Sequence, residues 1–219
     1  GRAVWLPRLH DPQMFAPICL GILIVVEIAL GISPQADRLT WTLENLPVWI
    51  GIVWVGLTYR KFPLSRLLLV LLTAHSIVLA IGGFYTYAKV PLGFWMQDWF
   101  GFERNHYDRI GHFWQGFAPA VLVRELLLRC AKMPRTLWLP ATVVMFCIGF
   151  SAIFEMLEWL AVVVGGDQSD DYLGTQGDVW DAHWDMLYCG IGATVAMLFL
   201  SRVHDRSLSE FPGSNSSRA

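Results

Sequence analysis

Six apolar stretches, each close to the roughly 20 residues a helix needs to cross a bilayer core, constrain this chain more than anything else in it. They cover residues 15–32, 41–59, 64–85, 110–128, 137–164 and 180–200 of a chain of 219 residues. Lipid offers backbone groups no hydrogen-bond partner, so an apolar stretch of that length spans as a helix, which satisfies its own N–H and C=O groups. With 55% hydrophobic and 16% charged residues, the composition agrees. The pattern predicts an all-α polytopic membrane protein: a single six-helix transmembrane domain over 1–206, and a small polar tail over 207–219 expected to be disordered. The second stretch is the weakest, because Glu44 and Pro47 shorten its clean apolar part. The first follows Arg2 and Arg8 but is longer than a signal-peptide core, contains Glu27 and lacks a small-x-small exit, so it reads as an uncleaved first span.

Lysine and arginine set the expected orientation. Arg2 and Arg8, then Arg60, Lys61 and Arg66, then Arg124, Arg129, Lys132 and Arg135, then Arg202 and Arg206 all fall on one side of six spans. The positive-inside rule makes that side the cytoplasm and places both termini there. Segments 33–40, 86–109 and 165–179 are then outside. The last carries Asp167, Asp170, Asp171 and Asp178 with no basic residue and is expected to act as a lid. A net charge of −2 with no broad basic surface argues against nucleic-acid binding. Cys19, Cys130, Cys147 and Cys189 lie in or beside apolar runs without metal-ligand spacing and read as small buried hydrophobes.

Ionisable groups inside spans are costly, about 2.5–3.5 kcal/mol each on insertion scales, and by default mark a site or a paired interior. The topology delivers Glu27, Asp108, Arg109, His112, Glu155, Glu158, Asp181 and Asp185 to the same outer portion of the membrane. Asp108/His112 and Asp181/Asp185 are i,i+4 pairs and Glu155/Glu158 is i,i+3, so each helix aims one polar edge inward. His183 points away from the Asp181/Asp185 edge. So many carboxylates cannot share a low-dielectric pocket as bare anions. A divalent metal, bound protons, or Arg109 with Arg104 must offset them, and carboxylate with imidazole suits zinc, manganese or iron.

Plainer roles compete. Asp108 suits a helix N-cap, Asp178 and Asp181 suit a helix start, and Glu155 and Glu158 could form an ion pair with Arg109. His75 reads as an interhelical hydrogen-bonder, Arg124 and Glu125 as an interfacial anchor pair, and Trp95, Trp99, Trp114, Trp159, Trp180 and Trp184 as an aromatic belt.

RNHYDRIGHFWQGFAP, SAIFEMLEW and GTQGDVWDAHWDMLYCGIGA together resemble the YjdF-type family of bacterial inner-membrane proteins over most of the chain. The resemblance implies a multi-pass inner-membrane protein and no particular reaction. A weaker resemblance is to VanZ-like envelope proteins, whose D-[KR]-x-x-H, E-x-x-Q and D-x-x-x-N-x-x-G pattern has counterparts in Asp108-Arg109 with His112, Glu155 with Glu158, and Asp185 with Gly192. Cys189 stands at the asparagine position of that pattern.

The leading expectation is a divalent-metal site acting as a hydrolase or transferase on an envelope lipid or polyprenyl-linked substrate. His112, Glu155, Glu158, Asp181 and Asp185 are the candidate ligands. Glu155, Glu158 and Asp108 are the candidate acid–base groups, and Arg109 or Arg104 the holder of an anionic headgroup. Two alternatives stand beside it. One is an ion- or proton-coupled transporter, disfavoured because the cytoplasmic half offers only His75 and no internal repeat is visible. The other is a non-catalytic scaffold held by an ion-pair network. Membrane lipids are the expected surroundings in every case, and no oligomeric state is implied.

Overall fold

A computed structural model describes residues 12–165 and 176–211, where all regular structure is helical. The first basic residues, most of the acidic 165–179 segment and the end of the tail lie outside the described residues. The order is α1 (Pro12–Gly31), α2 (Arg38–Thr58), α3 (Arg66–Tyr85), a 3-10 turn (Tyr87–Lys89), α4 (Pro91–Phe100), α5 (Tyr107–Arg129), α6 (Trp138–Gly165) and α7 (Asp181–Leu208). Each of the six apolar stretches became one long helix. Three of these, α3, α6 and α7, are long and apolar enough to cross a membrane by length and composition. Glu44 and Pro47 do not interrupt α2. Asp37 starts that helix, its carboxylate accepting from the backbone N–H groups of Leu39 and Thr40 at 3.0 Å each.

Segment 86–109, expected as a plain outer connection, instead folds into the 3-10 turn and α4. Pro91 sits in the first turn of α4 and Gly101, at φ +68, ends it in the left-handed conformation that glycine tolerates. Asp108 is not the N-cap of α5. The helix begins one residue earlier, and the Tyr107 N–H donates to Asn105 Oδ1 at 3.0 Å, so the Asp108 side chain is free to face the interior. At the other end of the chain α7 continues to Leu208, with Ser207 and Leu208 buried, so the expected tail boundary at 207 falls inside helix.

The tightest packing is between α5 and α7. Gly116 rests on the carbonyl of Cys189, and Gly192 rests on the carbonyl of Phe113. Small residues let two helix backbones approach this closely, which in lipid is the main source of association. Around the crossing lie Leu68, Ala118, Val121, Val143, Ala193 and Ala196. By contrast α1, α2 and α6 expose Val25, Ile28, Ile50, Val53, Phe146 and Leu157, a surface suited to hydrocarbon. Cys19, Cys147 and Cys189 are buried as expected, whereas Cys130 is exposed just past α5.

Arg124 and Glu125 are not surface anchors. Both are buried at the end of the bundle where α3 starts and α7 ends. Arg124 donates to His204 Nδ1 at 2.9 Å, and with that nitrogen as acceptor His204 Nε2–H donates to Glu125 Oε2 at 3.0 Å. Arg129 donates to Glu125 Oε1 at 2.6 Å, and the N–H of Ser65, the N-cap of α3, donates to the same carboxylate at 3.1 Å. Arg124 also pairs with Asp205 at 2.9 Å. One carboxylate thus joins three helices.

At the opposite end, Asn105 is almost fully buried. Its amide donates to the Val90 carbonyl at 2.9 Å, and its backbone exchanges two hydrogen bonds with the Gln176 side chain. Asn105→Ala leaves the Val90 carbonyl and the Tyr107 N–H without these partners. The expected cost is roughly 2–3 kcal/mol from two lost buried hydrogen bonds, read as a lowered midpoint in thermal unfolding of the detergent-solubilised protein.

Candidate metal centre

His112 sits one turn into α5 on the face that meets α6 and α7, and is buried. Its Nδ1 lies 2.9 Å from Gln115 Oε1. With that oxygen as acceptor, Nδ1 carries the proton and the Nε2 lone pair faces inward. Two carboxylates meet Nε2: Asp108 Oδ1 of the same helix at 3.6 Å and Glu155 Oε1 of α6 at 3.5 Å. Asp185, from the first turns of α7, completes the group. One ligand atom each from Asp108, His112 and Asp185 falls within 4.8 Å of the others. Glu155 Oε1 and Asp185 Oδ1 are buried without a hydrogen bond. Carboxylates and an imidazole nitrogen converging from three helices, with an amide holding the far nitrogen, are the donors a hard or borderline divalent ion takes.

Asp181 does not join this group. Arg104 pairs with it at 2.6 Å and with Asp178 at 3.4 Å. Arg109 pairs with Asp178 at 3.2 Å and lies over the rings of Trp184 and Tyr188, so it neutralises neither Glu155 nor Glu158. The arginines and Asp178 form a rim of ion pairs above the inner donors. His106, just ahead of α5 in that rim, has its imidazole held below the usual range, first by partial burial and then by Arg109 and Arg104. His183 is exposed, as the helical spacing predicted. Glu27 lies apart from the site, accepting from the Trp49 indole N–H at 2.9 Å in a recess between α1 and α2.

Beside the donors is a cavity of about 660 Å³ between α1, α2, α3, α5 and α6. Asp108 and His112 form part of its wall, together with Glu44 of α2, His75 of α3, Tyr87 and Glu158. Glu158 makes no hydrogen bond or ion pair among the described residues and lines this space. Away from those groups the walls are apolar, running down to Val55, Leu69 and Leu122. At 1.5 Å per residue, Glu44 to Val55 is about 16 Å along α2. Tyr87 reaches the cavity by lodging its ring against Gly82 and Gly111, where any side chain would collide with it.

Glu44, His75, Tyr87 and Gln115 were not among the sequence candidates. They stand far apart in the sequence, and only the packing of α2, α3, α5 and the 3-10 turn brings them to the wall of one cavity. Gln115 carries a weak signal, three residues after His112. The His75 Nδ1 is buried without a partner, so the interhelical hydrogen bond expected of that nitrogen is absent. The two polar zones of the molecule are separated by packed apolar side chains, Leu68, Leu71, Ala118 and Val121 among them.

Residues 15–206 match the family described as "Predicted membrane protein (DUF2238)". The chain belongs to this family. It is also 43% identical over 189 residues to a protein named inner membrane protein YjdF from Escherichia coli (strain K12), an overlap covering 86% of this chain and 90% of that protein. No solved structure shows a significant match. The YjdF-type resemblance read from the motifs is borne out, and the DUF2238 match contains every residue of the candidate centre and of the cavity.

Proposed function

We propose that this protein is a six-span inner-membrane protein, both termini cytoplasmic, whose outer-leaflet centre holds one divalent metal ion and acts as a hydrolase or transferase on a lipid-linked envelope substrate. The observation carrying the reading is the convergence of Asp108, His112 and Asp185 around one point, with the His112 Nε2 turned toward the carboxylates. The topology is supported by the gathering of the basic connections at one end, through Arg129 on the Pro63 carbonyl and Arg124 on Asp205. Asp108, His112 and Asp185 would hold the ion, and Gln115 would fix the imidazole. Bound there, a divalent ion supplies Lewis acidity and a more acidic water. Glu155, 3.5 Å from His112 Nε2, would be the carboxylate placed beside the ion to accept a proton. Arg104 and Arg109 place positive charge at the rim, where an anionic headgroup arrives. The apolar cavity gives a hydrocarbon chain a place to lie.

The test is spectroscopic. Manganese(II) loaded into the purified protein is expected to show electron spin-echo modulation from one imidazole nitrogen, lost in His112→Ala and kept in His183→Ala. A bound ion with no nitrogen coupling would refute the ligand set. Transport is the less favoured reading because the inner length of the cavity, beyond His75 and down to Val55, Leu69 and Leu122, is lined by no charged side chain among the described residues.

A further inference from the structure

The polar end of the cavity has a one-sided charge. Glu44, Asp108 and Glu158 line it, with His75 and His112, and no lysine or arginine does so among the described residues. Asp108 belongs to the proposed centre, which leaves Glu44 and Glu158 without a hydrogen bond or ion pair among the described residues. They line the same cavity from different helices, Glu44 from α2 and Glu158 from α6. His75, its Nδ1 buried without a partner, stands deeper in the cavity, about 12 Å along α3 from the Gly83 position against which Glu44 packs. Two carboxyls around a space continuous with an apolar slot about 16 Å long are complementary to a cation on a hydrocarbon tail. An ammonium group offers three donors to such a set.

We propose that the cavity binds an amphiphile with an ammonium headgroup, one hydrocarbon tail lying along α2 and the ammonium held between Glu44 and Glu158. This deepens the reading above by naming the headgroup chemistry of its substrate. A zwitterionic aminolipid fits both halves of the site, its ammonium at Glu44 and Glu158 and its phosphate toward the metal centre and the arginine rim.

The experiment is native mass spectrometry of the detergent-purified full chain, offered phosphatidylethanolamine or phosphatidylglycerol with identical acyl chains. These lipids share the phosphodiester and the acyl chains and differ in the terminal headgroup, an ethanolamine ammonium in one and an uncharged glycerol in the other. Wild type is expected to retain the ethanolamine lipid at least fivefold better, and Glu44→Gln with Glu158→Gln to bring the two lipids to parity. Equal retention by wild type, or a preference unchanged in the double variant, would overturn the proposal. Wild type decides the first point even if the double variant does not fold. Metal content is measured on the same samples: metal retained with no ammonium preference sinks this inference and leaves the metal reading standing, and the reverse result does the opposite.

Discussion

Gly192→Val is expected to abolish folded protein, the largest effect of any single substitution considered. A Cβ at Gly192 falls on the Phe113 carbonyl and meets the Phe117 backbone nitrogen at 3.0 Å, and Gly116 faces the Cys189 carbonyl in the same way. The obstacle is backbone on both sides, so no rotamer change relieves it. Overpacked cores that yield through side chains lose about 1–3 kcal/mol. Here α5 and α7 must separate, and that crossing carries Asp108, His112 and Asp185 on its outer turns. Gly149→Val is the control, since nothing lies within 4 Å of a Cβ there. Size-exclusion chromatography in detergent is expected to give a single peak for Gly149→Val and void-volume aggregate for Gly192→Val. A monodisperse Gly192→Val protein would mean that the crossing is looser than described.

Glu125→Ala is expected to have the second largest effect. The carboxylate accepts from His204, Arg129 and the Ser65 N–H, and its side chain is wholly buried. Removing one partner of a buried charged network costs about 3–5 kcal/mol, because the groups left behind are desolvated and unpaired. The damage should be local to the start of α3 and the end of α7, far from the candidate centre. Hydrogen exchange at the first turn of α3 is expected to rise sharply. Glu125→Gln keeps an acceptor for Ser65 and His204 and should recover part of the loss. If both variants melt like wild type, the network contributes nothing to stability.

These residues also show what could be read from sequence. Helix positions were legible because each apolar stretch announces its own helix, and helical spacing put Asp108 with His112 and turned His183 away. The α4 segment, PLGFWMQDWF, was missed because a short aromatic stretch reads equally well as interfacial anchoring. Trp95 and Trp99 in it are exposed, while Trp114, grouped with the belt, packs into the core. Arg124 and Glu125 looked like a boundary pair because they close an apolar run. Their burial depends on His204, 79 residues from Glu125, and no local pattern reports such a partner. Asp181 looked equivalent to Asp185 on one helical edge until Arg104, brought over from another segment, claimed it. Local periodicity located the ligand faces; the pairing of charges between helices decided which members of each face stayed free.

The most direct measurement is the metal content of the purified wild-type protein beside Asp185→Asn and His112→Ala, by elemental analysis after dialysis against chelator-free buffer. About one transition-metal ion per wild-type chain is expected, and less than a tenth of that in either variant, with all three proteins eluting alike from a sizing column. Wild type without metal, or variants that keep it in full, would contradict the account.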